Sequence, residues 1–248
     1  MQASIPVVLK AEQISSVFGF PITNALLMTW LVMILLIGFA YFFGRSLKLV
    51  PGRIQAGIEW GYQVVLDYMA ETLESAELAQ RFFPLIASIF LFIVVGNELE
   101  FFPGVGSVGF FRGSDFIPLL RTPAADLNFT LALAIIAFLT IEVTGVFALG
   151  VWKYAGRFVN VKSPVGFAVG LIELMSNLGR LVSFSFRLFG NIFAGEVMIL
   201  VASFFLPYLL PVPLMAFEMF VGFVQAIVFA MLTLFFIKLA IAEPEGGH

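Results

Sequence analysis

The sequence predicts an all-α integral membrane protein with about five membrane-embedded helices and one interfacial amphipathic helix. Three observations lead to this prediction. Of the 248 residues, 61% are hydrophobic and 12% are charged, about half the charged fraction usual in soluble domains. The apolar residues form runs long enough to cross the roughly 30 Å hydrocarbon core of a bilayer. Basic residues cluster after the first and third of these runs, as the positive-inside rule requires of cytoplasmic segments.

The first predicted span covers residues 24–44 and is followed closely by basic residues, namely Arg45, Lys48 and Arg53. The positive-inside rule places these in the cytoplasm and the N-terminal segment, residues 1–23, outside. Residues 53–74 then show apolar positions at helical spacing, which predicts an amphipathic helix. Two placements remain open for this helix: along the cytoplasmic face of the membrane, or against another subunit.

Two further spans are predicted at residues 82–102 and 125–150, joined by an outer loop that contains glycine and proline. The third span ends at an aromatic and basic cluster, which is typical of a cytoplasmic interface. The cluster comprises Trp152, Lys153, Tyr154, Arg157 and Lys162. The whole chain, residues 1–248, is interpreted as a single membrane domain.

The last third of the chain predicts a long, strongly tilted helical hairpin. Helices over residues 165–206 and 213–242 would be about 63 Å and about 45 Å long. Both exceed the hydrocarbon core, so steep tilt is the expected adjustment, and the C-terminus returns to the cytoplasm. The sequence shows no internal repeat, which argues against a transporter built from inverted repeats.

Composition excludes several classes of function. The chain has no cysteine, its single histidine is the terminal His248, and it has no phosphate-binding loop of the Walker type. Disulfides, histidine metal clusters and Ser-His catalysis are therefore excluded. The net charge of −3 argues against a nucleic-acid partner. We expect no cofactor, no metal and no catalytic residues.

Arg187 lies in the middle of the predicted helix 165–206. A guanidinium cannot lose its proton, and at mid-bilayer depth its charge costs roughly 2.5 to 17 kcal/mol. At 100° per residue, Glu196 falls about 180° away from Arg187. No carboxylate lies within one turn of Arg187, so its counter-charge is predicted on another subunit. The polar residues within about 40° of Arg187 are Glu173, Ser176, Arg180, Ser183 and Asn191.

Several of these polar residues also fit structural roles. Asn191 and Gln225 fit hydrogen-bonded contacts between helices, and Asp126 fits a first-turn residue favoured by the helix dipole. A structural ion pair between Glu173 and Arg180, and a proton shared by Glu196 and Glu218, also remain open. Against these, carboxylates inside a membrane more often mark an ion path. No role is assigned to Glu98, Glu100 or Glu142.

The run from Ser185 to Glu196 (Ser-Phe-Arg-Leu-Phe-Gly-Asn-Ile-Phe-Ala-Gly-Glu) resembles the a subunit of bacterial F-type ATP synthases. That subunit is the stator half of a rotary membrane motor. The resemblance extends over most of the chain in the expected order. It includes Pro21-Ile-Thr-Asn24, Pro123-Ala-Ala-Asp-Leu-Asn-Phe-Thr-Leu131, and residues 217–233.

This resemblance implies an ion-translocating role for six residues. Arg187 would face the carboxylate of the rotating c ring, and Asn191 and Gln225 would line the same interface. Glu196 and Glu218 would relay protons in one of two half-channels, with Asp126 near its outer mouth. Some family members have histidine where Glu218 stands, so two glutamates here replace a glutamate–histidine pair.

The resemblance also implies the surroundings of the chain. The expected partners are the c-ring proteolipids, b-type peripheral stalk subunits, the remainder of the synthase and membrane lipid, in a bacterial inner membrane. The chain would couple proton flow to ATP synthesis without being an enzyme itself. The alternative is a self-contained secondary transporter that uses Arg187 to bind an anionic substrate.

Overall fold

The computed structural model describes residues 11–102, 104–113, 115–158, 164–207 and 209–242. These residues form seven α-helices and two short β-hairpins. Five of the helices are long and apolar enough to cross a membrane, which confirms the predicted all-α integral membrane fold. Residues 1–10, Lys162 and His248, for which the sequence also made predictions, lie outside the described residues.

The helices are α1 (Asn24–Ser46), α2 (Arg53–Leu73), α3 (Ala76–Glu98), α4 (Leu127–Leu149), α5 (Val151–Phe158), α6 (Pro164–Phe205) and α7 (Pro211–Ile241). Short 3₁₀ turns follow α3 at Leu99–Phe101 and precede α4 at Pro123–Ala125. The first hairpin joins β1 (Gln13–Val17) to β2 (Phe20–Thr23), and the second joins β3 (Gly109–Arg112) to β4 (Asp115–Pro118). Both hairpins are antiparallel.

Helix α3 begins six residues before the second predicted span, which started at residue 82. The Ser75 side chain accepts a hydrogen bond from the Leu78 N–H at 3.3 Å and caps the helix there. A serine cap satisfies one of the backbone donors that a helix start leaves free. The polar first turns of α3, including Arg81, therefore extend the helix beyond the apolar run that the prediction followed.

The hairpins and α5 are not part of the sequence prediction. It had an outer N-terminal segment, an outer loop and the aromatic and basic cluster in these places. Phe18 and Gly19, at the turn of the first hairpin, both have positive φ, 49° and 84°. Positive φ at both central residues is the geometry of a type I′ turn, which suits the twist of paired strands. The first hairpin thus orders the segment that leads into α1.

Contacts between distant segments define two ends of the helical bundle. At one end, the Asn24 side chain donates to the Pro118 carbonyl at 3.4 Å, and the Thr122 hydroxyl donates to the Gly96 carbonyl at 3.3 Å. At the other end, Lys238 donates to Glu74 at 2.8 Å. This bond lowers the pKa of Glu74, so the ion pair is lost only as the pH falls through that lowered value.

The bundle core lies among α3, α4, α6 and α7. Alanines with no exposed surface, such as Ala134 and Ala226, allow these helices to approach closely, as is typical of packing inside membranes. Helix α6 runs antiparallel to α4. The two are joined by the Thr130 and Ser185 hydroxyls, 3.2 Å apart and fully buried. With 42 residues, α6 reaches about 63 Å, and its tilt in the membrane remains a prediction.

Candidate functional site

Arg187 lies on an exposed face of α6. The opposite face of this helix is anchored in the core by Phe184, Leu188 and Ile192, each at most 3% exposed. The Arg187 guanidinium donates one hydrogen bond, at 3.2 Å, to the Ser183 hydroxyl one turn earlier. In the part of the chain that the structure describes, Arg187 has no carboxylate partner. The charge is therefore presented outward and not neutralised.

Asn191 follows Arg187 by one turn and is partly exposed on the same helix. Gln225 lies on α7, also partly exposed. Among the described residues, neither amide makes a side-chain hydrogen bond, and the structure shows no bond between either one and Arg187. Another cation of the predicted stripe, Arg180, packs its guanidinium 4.7 Å from the centre of the Phe236 ring. That distance is typical of a cation–π contact.

Glu196 forms a salt bridge with Arg121. The distance from Arg121 Nη2 to Glu196 Oε2 is 2.7 Å, and that from Nε to Oε1 is 3.5 Å. The two side chains are only 14% and 21% exposed. Two contacts from one planar guanidinium fix the orientation of a carboxylate as well as its charge. The principal contact of Glu196 is therefore with Arg121. The sharing of a proton between Glu196 and Glu218 stays a prediction.

Glu218 is 4% exposed and lies against the backbone of Gly195, the residue that precedes Glu196. A side chain at position 195 would occupy the space that the Glu218 carboxylate fills. The Glu218 Oε1 atom is buried and has no hydrogen-bond partner in the structure. The Gly195–Glu196 pair on α6 thus brings two carboxylates to one place between α6 and α7.

Glu100 is the third carboxylate of this cluster and was left without a role by the sequence analysis. Its carboxylate lies close enough to Glu196, Glu218 and Arg121 for their charges to act on it. Carboxyl groups held close together repel one another when they are ionised. We call Glu100, Arg121, Glu196 and Glu218 the carboxylate cluster.

Two members of the carboxylate cluster, Glu100 and Arg121, were not among the site residues predicted from the sequence. Arg121 lies in the predicted outer loop, two residues before Pro123, where a segment that resembles the family begins. The available signal was charge balance: the predicted outer ends of two spans carried carboxylates with no cation assigned to them. A buried carboxylate needs a compensating charge or a proton, and Arg121 was the cation available in the adjoining loop.

Asp126 caps α4. Its carboxylate accepts hydrogen bonds from the Asn128 backbone N–H and from the Asn128 side chain, both at 3.0 Å. Asp126 is 8% exposed and has no bond to the carboxylate cluster among the described residues. The structure thus supports the interpretation of Asp126 as a residue that stabilises the start of a helix. Its role at the outer mouth of a channel stays a prediction.

A family model described as "ATP synthase A chain" matches residues 26–238. The chain belongs to this family. The match runs from α1 to α7 and contains all six predicted site residues. Membership makes the chain an ion-channel stator subunit of the ATP synthase membrane sector, associated with the rest of that complex.

Individual relatives agree over nearly full length. A protein of Propionigenium modestum named "ATP synthase subunit a, sodium ion specific" is 34% identical over 94% of this chain and 79% of its own length. The Geotalea daltonii "ATP synthase subunit a" is 32% identical, covering 91% of this chain and 89% of the relative. That of Campylobacter jejuni is 33% identical, covering 82% and 83%.

We expect Asp126→Asn to separate capping from ion conduction. Asparagine still accepts the Asn128 N–H bond and is an equally good cap, so the thermal midpoint of the assembled synthase should not change. ATP-driven ion pumping should fall if the carboxylate serves the ion path. The control Asp126→Ala removes the cap, which should reduce the stability of the complex by about 1 kcal/mol and so lower the thermal midpoint as well. Normal pumping by Asp126→Asn would leave Asp126 as a cap alone.

We expect Arg121→Gln to destabilise the assembled complex by about 1 to 3 kcal/mol, because Glu196 then stays half-buried without a cation. The double variant Arg121→Gln/Glu196→Gln should be less destabilised than Arg121→Gln, since both charges are removed. Thermal midpoints of the detergent-solubilised complex measure both. A double variant at least as unstable as Arg121→Gln would contradict the pairing.

We expect Gly195→Ala to reduce ion pumping about a hundredfold, the lower end of the range for loss of a positioned proton-transfer group. The added methyl group displaces the Glu218 carboxylate. Adding Glu218→Asp, which shortens the side chain, should restore part of the activity. Gly179→Ala is the matched control, because a Cβ there meets no atom within 4 Å. Full activity of Gly195→Ala would show that the position of Glu218 is unimportant.

Proposed function

We propose that this chain is the proton-translocating stator subunit of an F-type ATP synthase, providing two offset half-channels on either side of Arg187. The observation that carries this proposal is the separation of charges on α6. Arg187 is exposed and unpaired among the described residues, whereas Glu196 is held by Arg121. A fixed charge that faces outward from a membrane helix calls for a carboxylate on a neighbouring subunit.

In this proposal the neighbour is a carboxylate of the rotating c ring. While it faces lipid the carboxylate is neutral, because desolvation disfavours its charge. Beside Arg187 the cation favours the ionised form, and the proton leaves toward the cytoplasm. After passing Arg187 the carboxylate takes a proton from the outer half-channel. The driving force is about 2.3 kcal/mol per charge for each 100 mV of membrane potential.

The carboxylate cluster is the proposed relay of the outer half-channel. It lies where Arg121, in the predicted outer loop, meets α6. One guanidinium faces three carboxyl groups, so at least one proton is needed to avoid strong repulsion among them. The buried and unpaired Glu218 Oε1 is suited to receive a proton or a hydrogen bond from water. Asp126 would lie nearer the outer mouth.

Arg187 has a second task in this proposal. A fixed positive charge between the two half-channels repels a hydrated proton and prevents a direct leak. Asn191, one turn from Arg187, and Gln225 on α7 would line the contact with the ring. Both amides are partly exposed and free of side-chain bonds within the described chain, as such a role requires.

The proposed setting is a bacterial inner membrane, with the N-terminus outside and the C-terminus in the cytoplasm. The proposed partners are the c ring and the b-type peripheral stalk, and the subunit has no catalytic activity of its own. Sodium is the competing ion, because a 34% identical relative is named as sodium-specific. Pumping measured across a range of Na⁺ concentrations at fixed pH distinguishes the two ions.

We expect Arg187→Ala to abolish ATP-driven proton pumping by the assembled synthase and to increase passive proton leak through vesicles. The reason is that the ring carboxylate loses the cation that favours its ionised form, and the barrier between the half-channels is removed. Fluorescence quenching of a pH-sensitive dye in inverted vesicles measures both effects.

Ser183→Ala is the matched control, because it removes only the hydrogen-bond partner of Arg187 within this chain. We expect it to retain coupled pumping within about twofold, as an exposed hydrogen bond contributes little. Coupled pumping by Arg187→Ala would reject the proposed function. Substrate-stimulated uptake by the purified chain alone would instead support a self-contained transporter.

A further inference from the structure

A second polar cluster lies apart from the carboxylate cluster, where α4, α5 and α6 meet. Glu142 of α4 accepts a hydrogen bond from the Tyr154 hydroxyl of α5 at 2.8 Å. It accepts another from the Asn177 side-chain amide of α6 at 3.2 Å. Tyr154 and Asn177 are only 6% and 5% exposed. The bonds go to different oxygens, Oε2 and Oε1, so the carboxylate is held from two sides.

One atom of this cluster has no partner. The Asn177 Oδ1 is buried and lacks any hydrogen bond. The orientation of the amide is determined chemically, because Glu142 offers an acceptor and only the nitrogen of Asn177 can donate to it. A buried carbonyl oxygen without a donor is costly. The group that completes the site must therefore be a hydrogen-bond donor or a cation.

The backbone is shaped to hold Tyr154 at this place. Gly150 ends α4 with a φ of 81°, a conformation that favours glycine, and α5 begins at the next residue. The Tyr154 ring then lies against Gly145, where any side chain would collide with it. Gly145 is three residues after Glu142, on the same side of α4. The phenol is thus directed to the carboxylate by two glycines.

The position along α6 relates this cluster to Arg187. Asn177 precedes Arg187 by ten residues, or about 15 Å of helix, and Glu196 follows Arg187 by nine, or about 13.5 Å. The two clusters therefore lie on opposite sides of Arg187. In the proposed orientation the N-terminal end of α6 faces the cytoplasm, so Glu142 lies on the cytoplasmic side.

We propose that Glu142, Tyr154 and Asn177 form a binding site for the translocated monovalent cation on the cytoplasmic side of Arg187. The guest is a proton carried by water, or Na⁺, because a single positive charge would be compensated by the Glu142 carboxylate and contacted by the phenol and amide oxygens. This inference rests on the proposed function for the direction of ion movement. It extends that function by naming a site in the second half-channel.

Other charged groups lie close in sequence to these residues on the packed helices. Lys153 precedes Tyr154 on α5, whereas Glu173 and Arg180 lie one turn before and one turn after Asn177 on α6. On α7, the described cation Lys238 is bonded to Glu74. The pH response of the site therefore reports on Glu142 only when a Glu142 variant is compared with the unaltered complex.

The test uses proteoliposomes that contain the assembled synthase, with pH or Na⁺ varied on one side at a time. We expect Glu142→Gln, which keeps the size but not the charge, to slow ion flux about a hundredfold. The dependence of flux on cytoplasmic-side pH should shift, and the dependence on outer-side pH should not. Glu142→Asp should restore part of the flux, and Glu218→Gln should change the outer-side dependence instead.

The experiment distinguishes the two ions by varying pH and Na⁺ separately. A shift seen with pH at constant Na⁺ identifies the proton, and a shift seen with Na⁺ at constant pH identifies Na⁺. Thr140→Val is the matched control, because Thr140 lies half a turn from Glu142 and its hydroxyl bonds only to its own helix, at the Ile136 carbonyl. It should conduct as the unaltered complex does.

A purely structural Glu142 would give a different result. Glu142→Gln would then lower the thermal midpoint without any shift confined to the cytoplasmic side, and that outcome overturns the proposal. Flux equal to that of the unaltered complex, with unchanged cytoplasmic-side dependence, also overturns it. If Arg187→Ala still pumps, the proposed function itself fails. If Arg187→Ala is inactive and Glu142→Gln is normal, only the present inference fails.

Discussion

The salt bridge between Arg121 and Glu196 decides how charge is distributed along α6. Both partners are mostly buried, and their atoms approach to 2.7 Å. Because Glu196 has its own cation, it is not drawn toward Arg187, which stays on the opposite, exposed side. Two charges on one helix thus acquire separate environments. A motor of the proposed kind needs this separation, since an internally neutralised Arg187 could not attract a carboxylate from another subunit.

Glycines set the distances at the polar positions between these helices. Gly195 leaves space for the Glu218 carboxylate, and Gly145 leaves space for the Tyr154 ring. At Gly222 on α7, the Asn97 side chain approaches the backbone and donates a hydrogen bond to the Gly222 carbonyl at 3.3 Å. Each of these contacts brings a side chain against the backbone of a neighbouring helix. Inside a bilayer, polar side chains have few partners other than each other and such backbone groups. Close approach therefore matters more here than in water.

Much of the fold followed from the sequence because apolar length and helical period are local properties. The long helix around Arg187 and the opposite placement of Glu196 required only a count of residues. The carboxylate cluster was not predicted because it depends on contacts between residues distant in sequence. Arg121 and Glu196 are 75 positions apart, and no periodicity connects them. The predicted start of α3 was too late because the polar first turns of this helix carry no hydropathy signal. The hairpins lie outside the apolar runs, where turn chemistry dominates.

The buried hydroxyl pair of Thr130 and Ser185 has a mechanical consequence. Ser185 lies two residues before Arg187, and its bond to α4 is 3.2 Å long. In the proposed function, a passing rotor would exert a sideways force on Arg187. Both side chains of the hydroxyl pair are short and have little conformational freedom, so this hydrogen bond would oppose sliding of α6 along α4. Torque would then be transmitted to the stationary frame and not lost in movement of the helix.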